Sequence, residues 1–423
     1  MPLRREPWAI ATLAGSRIAD EIAASGPMTF ARFMELALYD PDVGYYERAA
    51  ATLGPDGDYL TSSTIHRAFA ALLTSQLEEM WRILGQPSIF WLIEGGPGTG
   101  AFAAGVLETA AAAFPSFHRS LHVALIERSG RLRHRQTETL AVWEERVRWI
   151  DSTPSSWRPL GVGCVLANEL LDAFPVHRVV MRPEGLSDGL PGRLMEACVD
   201  VVDGRFQDIE LRPTTPALAN QIAAGGGHLH IGQSGEVSLG APGWVAAAAG
   251  LIERGYLLIM DYGAPAGDLY GESHPDGTLR SFWRHTMNRQ PYDRVGEQDI
   301  TAHVDFSAVT REAQRAGLSL LGATSQQKLL DRLGLTLLDE RLEQFVPERA
   351  AQRAHRAALG LLSDPLGLGN VTAVAFGKQV SDAPLAGFSR TSPLEPQVPP
   401  STWDLPSGID ELALVKSGLR PTR

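Results

Sequence analysis

The sequence predicts an α/β fold built on a parallel β-sheet with helices on its faces. From residue 89 onwards, apolar strand-like segments alternate with helical segments, which is typical of parallel sheets. The candidate strands lie at 89–94, 121–127, 147–151, 162–168 and 256–261. The segment 262–305 is expected to be irregular. A helical pattern at 306–316 then leads to a late pair of strands at 318–324 and 371–376, with two helices expected between 325 and 362. These seven strands predict one seven-stranded, Rossmann-like sheet.

The chain is too long for a single compact core, since it has 423 residues. Helical spacing of apolar residues predicts a helical N-terminal region at 1–85. The Rossmann-like core is then expected at 86–175 and 241–380. Hairpin-like strands at 176–181, 197–202 and 206–211 predict an inserted β-rich lobe at 176–240, and the Pro-rich segment 390–423 predicts an extended arm.

Composition excludes several classes of protein. The net charge is −11, and the densest group of arginines is only Arg131, Arg133 and Arg135, so we expect no nucleic-acid partner. No apolar stretch reaches the roughly 18 residues of a membrane span. Two cysteines without a neighbouring histidine cluster predict neither a disulfide framework nor a metal site. Without a signal-peptide core at its N-terminus, the chain is expected to be cytoplasmic.

A glycine-rich turn follows the first predicted core strand. The strand ends at Glu94, glycines stand at Gly96, Gly98 and Gly100, and a helix is predicted from 101 to 113. Glycines at such a turn allow the backbone to approach a nucleotide-like ligand that any Cβ would keep away. A carboxylate at the strand end suits a positively charged or hydroxyl-bearing ligand better than a phosphate.

The pattern Glu-x-Gly-x-Gly-x-Gly resembles the first motif of class I S-adenosylmethionine (SAM) methyltransferases. A NAD-binding fold is the alternative, because Gly96, Gly98 and Ala101 also satisfy a loose G-x-G-x-x-G/A pattern. By itself the turn is also compatible with an ordinary strand-to-helix connection.

Acids at the next two strand ends extend the candidate cofactor site. Ligands of doubly wound sheets bind outside the carboxyl ends of the strands. Glu127 ends the second strand, where a carboxylate can accept hydrogen bonds from both ribose hydroxyls of an adenosine. Asp151 ends the third strand and is a candidate contact to the adenine edge. The alternative for Glu127 is an acid that favours a helix N-terminus.

The fourth strand ends in a polar group that is the candidate acceptor site. Asn168, Glu169 and Asp172 can orient a nucleophile, and two carboxylates can hold a guanidinium by bidentate hydrogen bonds. A helix N-cap with an acid in the first turn is the alternative role, chiefly for Asp172.

Other polar residues are weaker candidates. His228 and His230 lie on one strand face but lack a third metal ligand. His303 and Asp305 either line the site or cap the following helix. Glu236 is equally ambiguous.

Longer stretches resemble the MidA-like family of methyltransferases, which includes mitochondrial complex I assembly factors. The matching stretches, in family order, are Gly26–Tyr46, Gly57–Ser62, Glu94–Gly100, Asn168–His177, Asp261–Gly263, Gly277–Arg280 and Asp299–Phe306. The resemblance implies a SAM-binding fold with an N-terminal helical addition, an inserted substrate lobe and a seven-stranded sheet whose last strand inserts antiparallel. It also implies an arginine of a protein as the methyl acceptor, since mitochondrial members are associated with symmetric dimethylation of an arginine in a complex I subunit.

The chain departs from the family pattern near the expected entrance of the site. Ser63 and Thr64 follow Thr61-Ser62 where the family has Pro and Glu, and Thr99 stands where an arginine is common. Thr61 is assigned to the cofactor site on the strength of the resemblance. These changes leave the acceptor open.

The sequence therefore predicts a SAM-dependent methyltransferase that acts on a protein arginine. The first alternative is an O- or N-methyltransferase of a small molecule, and the second is an assembly protein that binds SAM without turnover. A homodimer stays possible.

Overall fold

The computed structural model describes residues 10–48, 61–184 and 192–406. The helices are α1 (Leu13–Ser25), α2 (Phe30–Tyr39), α3 (Tyr45–Arg48), α4 (Ser62–Ile65), α5 (Ala68–Ile83), α6 (Ala101–Ala113), α7 (Pro115–Ser120), α8 (Gly130–Thr139), α9 (Ala217–Ala224), α10 (Gly240–Ala249), α11 (Ala266–Leu269), α12 (Phe306–Arg315), α13 (Gln326–Leu333), α14 (Leu335–Phe345), α15 (Arg349–Ser363) and α16 (Ala386–Ser389). The strands are β1 (Met28–Thr29), β2 (Phe90–Gly95), β3 (Leu121–Ile126), β4 (Val147–Ile150), β5 (Gly161–Asn168), β6 (His177–Arg182), β7 (Arg193–Val202), β8 (Arg205–Leu211), β9 (Ser234–Val237), β10 (Ile252–Asp261), β11 (Gly263–Ala264), β12 (Arg280–Trp283), β13 (Thr286–Asn288), β14 (Asp299–Thr301), β15 (Val304–Asp305), β16 (Ser319–Ser325) and β17 (Thr372–Lys378).

The main sheet has seven strands in the order β16-β17-β10-β5-β2-β3-β4. Strands β4, β3, β2, β5 and β10 run parallel, and β17 is antiparallel to both β10 and β16. The predicted fold class, with its antiparallel last strand, is confirmed. The strand order changes direction beside β2 and β5, so their carboxyl ends form the crevice where ligands of such sheets bind.

Both faces of the main sheet are covered, because its central strands alternate buried side chains between two cores. In β10, Tyr256, Leu258 and Met260 pack with α5, α6 and α13, whereas Leu257 and Ile259 pack with α10 and α12. Burial on both faces explains why these strands are continuous apolar runs in the sequence. The sheet is therefore a rigid support for the strand ends.

A second sheet joins the N-terminal region to the segment inserted before β10. Its order is β1-β7-β6-β9, with β8 paired to β7. Helix α2 packs against this sheet through Phe30 and Phe33, which contact Phe206 and Tyr292. The sequence did not predict the pairing of β1 with β7, since β1 has only two residues. Nor did it predict helix α9 within the segment.

The remaining segments differ from the sequence predictions in detail. The segment 262–305, predicted to be irregular, contains the pair β11-β15 and the three-stranded sheet β13-β12-β14. Two helices were expected between 325 and 362, but three are present, because Gly334 with φ of +110° ends α13 and begins α14. No helix in the described ranges is both long and apolar enough to cross a membrane.

The described part of the C-terminal arm packs on the core. Trp403 stacks on Phe345 with ring centroids 5.1 Å apart, and the backbone N–H of Leu394 donates to the carbonyl of Arg332 at 2.8 Å. Residues 407–423 of the predicted arm lie outside the described ranges.

Candidate cofactor and acceptor site

A pocket opens at the carboxyl ends of β2, β3 and β5, with an empty volume of about 930 Å³ including its mouth. Most of the predicted site residues line it: Thr61, Glu94, Gly96, Gly98, Glu127, Asn168 and Glu169. Gly100, Asp151 and Asp172 are not part of its lining. The structure thus brings together predicted residues that are more than 100 positions apart in the chain.

The glycine turn adopts a backbone that other residues rarely adopt. Gly96, Gly98 and Gly100 have φ of +62°, +53° and +80°. A Cβ on Gly96 would lie 2.7 Å from Cδ1 of Leu170. Gly100 caps the N-terminus of α6 and allows the chain to turn from β2 into the helix. The turn therefore depends on glycine both for its backbone angles and for space.

Glu94 is a buried acid with an unused acceptor. Its side chain lines the pocket although the residue is only 4% exposed, and Oε2 accepts no hydrogen bond among the described residues. Burial raises the pKa of Glu94 to about 8, and the charge of Glu127 adds to this shift. An unpaired buried carboxyl is costly, so the site fits a ligand that brings a hydrogen-bond donor or a positive charge.

Glu127 is held in place on two sides. Oε1 accepts from the backbone N–H of Ser129 at 2.8 Å, and Oε2 accepts from Nε2 of Gln136 at 3.0 Å. Burial raises the pKa of Glu127 to about 6, while these hydrogen bonds act in the opposite direction. Each oxygen keeps a second lone pair for a ligand hydroxyl. This geometry suits a carboxylate that receives the ribose of a nucleoside.

Gln136 connects Glu127, the candidate ligand of the ribose, to the glycine turn. The sequence did not identify this residue. Its Nε2 also donates to the carbonyl of Gly98 at 2.8 Å, and its Oε1 accepts from Nε1 of Trp149 at 2.8 Å. The side chain is completely buried. A single glutamine on the polar helix α8 gives no signal in the sequence, because its partners lie in the turn after β2, directly after β3 and in β4.

Asp151 lies apart from these residues. It is exposed, and its Oδ1 accepts from the backbone N–H of Thr153 at 2.6 Å. A hydrogen bond from the side chain of Thr153, together with this one from its backbone, lowers the pKa of Asp151 and stabilises the turn after β4. The observed geometry gives the residue a local structural role.

Asn168 ends β5, Glu169 follows it, and both residues line the pocket. Oε1 of Glu169 accepts from the backbone N–H of Ser62 at 2.9 Å and from Nδ2 of Asn168 at 3.2 Å. Glu169 has φ of +49°, which costs a non-glycine residue about 1–3 kcal/mol and is typical of functional sites. Oδ1 of Asn168 is buried without a hydrogen-bond partner among the described residues.

Asp172 belongs to a group of four acids beside the pocket, Glu169, Asp172, Asp261 and Asp299, which we call the acid cluster. Burial raises the pKa of Asp172 well above its ordinary value, followed by the charges of Asp261, Asp299 and Glu169. Burial likewise raises the pKa of Glu169. No ion pair among the described residues involves Glu169, Asp172 or Asp261.

Asp261 ends β10 and fixes the chain after β5. Its Oδ2 accepts from the backbone N–H groups of Leu170 and Leu171 at 3.0 and 2.7 Å. Burial raises its pKa to about 7. Glu127 was predicted from its position at the end of a strand. Asp261 could have been predicted in the same way, because Asp261 ends the predicted strand 256–261.

Two tyrosines of the N-terminal region form a wall of the pocket. The rings of Tyr39 and Tyr46 stack with centroids 5.3 Å apart. The hydroxyl of Tyr39 donates to the carbonyl of Ala173 at 2.8 Å, and that of Tyr46 donates to Oδ1 of Asp299 at 2.9 Å. Both tyrosines lie in the first family-like stretch, but the sequence alone did not distinguish site residues from turn residues there.

The departures from the family pattern lie at the pocket. Ser63, Thr64 and Thr99 line it, together with Thr61, which caps α4. The backbone N–H of Thr61 donates to Oγ1 of Thr64 at 3.2 Å. Of the stretch 57–62, residues 57–60 lie outside the described ranges.

The weaker candidates lie away from this pocket. The rings of His228 and His230 are 5.1 Å apart, and no group of at least three potential metal ligands occurs within the described residues. Oδ1 of Asp305 accepts from the backbone N–H of Ala308 at 3.0 Å and caps α12. Oε2 of Glu236 accepts from the backbone and hydroxyl of Thr278 at 2.7 and 3.0 Å. The ring of His303 stacks on that of Tyr262.

Comparison with known proteins identifies the family. The profile of a family described as S-adenosyl-L-methionine-dependent methyltransferases matches residues 72–324. A crystal structure of a protein from Burkholderia thailandensis bound to S-adenosyl-homocysteine is 30% identical, with a TM-score of 0.78, over 89% of this chain and 94% of that one.

Two curated relatives carry the same activity in their names. "Protein arginine methyltransferase NDUFAF7 homolog, mitochondrial" from Drosophila melanogaster is 29% identical over 82% of this chain and 81% of its own length. The Mus musculus protein NDUFAF7 of the same description is 30% identical over 82% and 80%.

These findings decide two predictions. The cytoplasmic expectation is wrong, because both curated relatives are named as mitochondrial proteins. The choice between SAM and NAD is settled in favour of SAM, which the unused acceptor of Glu94 and the glycine turn also fit. The chain belongs to the family of S-adenosyl-L-methionine-dependent methyltransferases.

Proposed function

We propose that this methyltransferase transfers the methyl group of SAM to the guanidinium of an arginine in a protein. The observation that carries the proposal is the acid cluster beside the cofactor pocket, where burial raises the pKa values of Glu169, Asp172 and Asp261 and the charges of neighbouring acids raise those of Asp172 and Asp261 further. A cation between these acids would relieve the repulsion. The relatives named as protein arginine methyltransferases support a protein arginine as that cation.

On the cofactor side, Glu94, Glu127 and the glycine turn would hold SAM. Glu127 offers free lone pairs to ribose hydroxyls, and Glu94 offers its unpaired oxygen to a donor. Thr61 lies on the same lining, whereas the exposed position of Asp151 gives less support to a contact with adenine. Bound SAM supplies a methyl group that its sulfonium already activates for transfer.

On the acceptor side, Glu169 and Asp172 would fix the plane of the guanidinium. A guanidinium presents its N–H donors in a fixed fork that matches carboxylates, whereas a lysine ammonium does not. The hydrogen bonds from Ser62 and Asn168 fix Oε1 of Glu169, so its carboxyl has one orientation. The unpaired Oδ1 of Asn168 can accept a further N–H. Holding the acceptor nitrogen in line is the main contribution to rate, since effective molarities reach about 10⁵–10⁸ M.

The guanidinium must also lose a proton when a nitrogen forms its new bond to the methyl group. A carboxyl accepts that proton best when its pKa lies near the working pH. The raised pKa values of Glu169 and Asp172 bring these groups towards that range. The acid cluster therefore serves both to orient the arginine and to receive its proton.

The division of the chain into an N-terminal region, a core, an inserted lobe and an arm remains part of this proposal. The seven-stranded sheet supports the core, and the second sheet supports a lobe that includes β1 as well as residues 177–237. In this division, the N-terminal region lines the pocket through Tyr39 and Tyr46.

Methyl transfer to paired peptides tests the proposed function. The protein is incubated with SAM and with two peptides that are identical except for arginine or lysine at one position, and mass spectrometry locates any added methyl group. We expect methylation of the arginine peptide only, and Glu169→Gln serves as the inactive control. Methylation of lysine at the same rate would contradict the role of the guanidinium. Binding of SAM without methylation of any arginine would favour a small-molecule acceptor or a role in assembly.

A further inference from the structure

The short helix α3 contacts both the cofactor side and the acceptor side of the pocket. Tyr46 and Glu47 are neighbours on this helix, and both line the pocket. Tyr45, the residue before them, is 1% exposed and belongs to the apolar cluster that α1 and α2 share. Because Tyr45 anchors the helix, the two side chains that reach the pocket move together.

Glu47 reaches the cofactor side of the pocket. The hydroxyl of Ser129 donates to Oε2 of Glu47 at 3.2 Å, and the backbone N–H of Ser129 donates to Glu127 at 2.8 Å. The same serine therefore links Glu47 to the candidate ligand of the ribose. Among the residues that the structure describes, the carboxylate of Glu47 accepts no other hydrogen bond, so its second oxygen can accept from a ligand hydroxyl.

The carboxylates of Glu47 and Glu127 are close enough to interact. Burial has the largest effect in raising the pKa of Glu127, and the charge of Glu47 raises it further. Two like charges oppose each other unless hydrogen-bond donors lie between them. The two hydroxyls of a ribose would supply such donors, and they would favour the position of α3 in which Glu47 approaches Glu127.

Tyr46 reaches the acceptor side from the same helix. Its hydroxyl donates to Oδ1 of Asp299 at 2.9 Å, and the backbone N–H of Ile300 donates to the same oxygen at 3.0 Å. After burial and the charge of Asp261, the charge of Asp299 contributes to the raised pKa of Asp172. Tyr46 therefore fixes a carboxylate that acts on a proposed ligand of the guanidinium.

A second connection between the two sides runs through Tyr39. Its ring stacks on that of Tyr46 with centroids 5.3 Å apart, and the guanidinium carbon of Arg128 lies 5.2 Å from the ring centroid of Tyr39. Arg128 directly follows Glu127 in the chain and also lines the pocket. The two stacked rings thus extend from the cofactor side of the pocket to the acid cluster.

We propose that α3 couples the two halves of the site, with Glu47 as a further ligand of the cofactor's ribose and Tyr46 as a positioning residue for Asp299. This inference rests on the proposed function, because it names residues that adjust the acceptor site to the bound cofactor. When the ribose hydroxyls donate to Glu47 and Glu127, α3 is fixed, and Tyr46 holds Asp299 where the guanidinium requires it. The arginine of a substrate therefore binds better after SAM than before it.

The coupling is measured as the ratio of two dissociation constants. A fluorescein-labelled peptide with one arginine is titrated with the protein, first alone and then with saturating S-adenosylhomocysteine, which binds without transferring a methyl group. In wild type we expect S-adenosylhomocysteine to tighten peptide binding about tenfold, which is within the range typical of coupled sites. A substitution with a merely structural effect changes both dissociation constants alike and leaves this ratio unchanged.

Two conservative substitutions remove the proposed contacts one at a time. Tyr46→Phe keeps the ring and removes the hydroxyl that donates to Asp299, whereas Glu47→Gln keeps the size of the side chain and removes its charge. Each should reduce the ratio to about twofold or less. Glu47→Gln should also weaken the binding of S-adenosylhomocysteine about fivefold, because a neutral acceptor binds a hydroxyl less strongly than a carboxylate does.

Two matched controls lie outside the lining of the pocket. Tyr270→Phe removes a hydroxyl that donates to the carbonyl of Glu236 at 3.0 Å, and Glu35→Gln removes an acid that pairs with Arg32 at 3.2 Å. Both controls should keep the wild-type ratio. A wild-type ratio near one would overturn the proposal. So would a ratio that stays at the wild-type value in both Tyr46→Phe and Glu47→Gln, because the coupling would then come from direct contact between S-adenosylhomocysteine and the peptide.

Hydrogen exchange separates this proposal from the proposed function, since it needs no acceptor. Deuterium uptake is measured by mass spectrometry with and without S-adenosylhomocysteine. In wild type, S-adenosylhomocysteine should slow exchange at residues 39–48 and 299–301, and Glu47→Gln should lose the protection at 299–301. That result supports the coupling through α3 even if the arginine peptide does not bind, an outcome that would count against the proposed function alone. Protection confined to the surroundings of Glu94 and Glu127 would refute the coupling, whichever group accepts the methyl.

Discussion

Replacing Glu94 with glutamine should stabilise the ligand-free protein and weaken its binding of SAM. Burial raises the pKa of Glu94 from its ordinary value of 4.5 to about 8. The folded protein therefore keeps a proton that the unfolded chain releases, so stability falls as the pH rises from 4.5 towards 8. At 1.36 kcal/mol per pH unit, the whole interval corresponds to about 5 kcal/mol, an upper limit because the protein relaxes around the charge.

The assay is urea unfolding of wild type and Glu94→Gln between about pH 5 and pH 8.5. Glutamine does not titrate, so the variant should gain about 2–5 kcal/mol over wild type across this range. Calorimetry should show about 10- to 100-fold weaker binding of SAM, because a charged hydrogen bond contributes about 1.5–3 kcal/mol. Glu145→Gln, an exposed control, should alter neither quantity.

The reasoning about Glu94 fails if the stability difference between variant and wild type is the same at both ends of this pH range. That result would mean that the carboxyl of Glu94 is already ionised at low pH in the folded protein, or that it has a hydrogen-bond partner when the protein is in solution. Unchanged SAM affinity in Glu94→Gln would independently remove its role as a ligand of the cofactor.

Two further substitutions test the turn and a buried histidine pair. Gly96→Ala should abolish SAM binding measured by calorimetry, because at this positive φ its Cβ would lie 2.7 Å from Leu170. The control Gly226→Ala should keep SAM binding, because φ is also positive there but no atom lies within 4 Å of the added Cβ. His66 is 1% exposed with its pKa lowered to about 3 by burial, so the unfolded chain binds a proton below pH 6.5 that the folded protein does not. Wild-type stability should fall by up to about 1.4 kcal/mol per pH unit below 6.5 from this group. In urea unfolding, His66→Gln should flatten that dependence and the exposed His134→Gln should not.

The main sheet could be predicted because burial on both faces leaves continuous apolar runs, and these alternate with helices. The strand ends then located Glu94, Glu127 and Glu169 by topology, without any knowledge of contacts. The same rule also predicted Asp151, which lies in an exposed turn outside the lining of the pocket. A strand end identifies a position near the crevice, but only packing decides whether a side chain enters it.

The contacts that complete the site could not be predicted, because they join distant elements through single residues. Gln136 contacts the glycine turn after β2, Glu127 after β3 and Trp149 of β4 from one helix. Tyr46 reaches Asp299 across 253 positions of the chain. Strand β1 is too short to leave a periodic pattern, so its pairing with β7 was missed as well.

Single-turnover methyl transfer in Glu169→Gln with Asp172→Asn is the most direct test of the central claim that cofactor and acceptor are held by separate groups of acids. We expect wild-type affinity for S-adenosylhomocysteine in calorimetry, together with a loss of at least about 100-fold in transfer to an arginine peptide. Near-normal transfer in this variant would contradict the account of the acceptor site. Loss of S-adenosylhomocysteine binding with the variant still folded would show that these acids belong to the cofactor site instead.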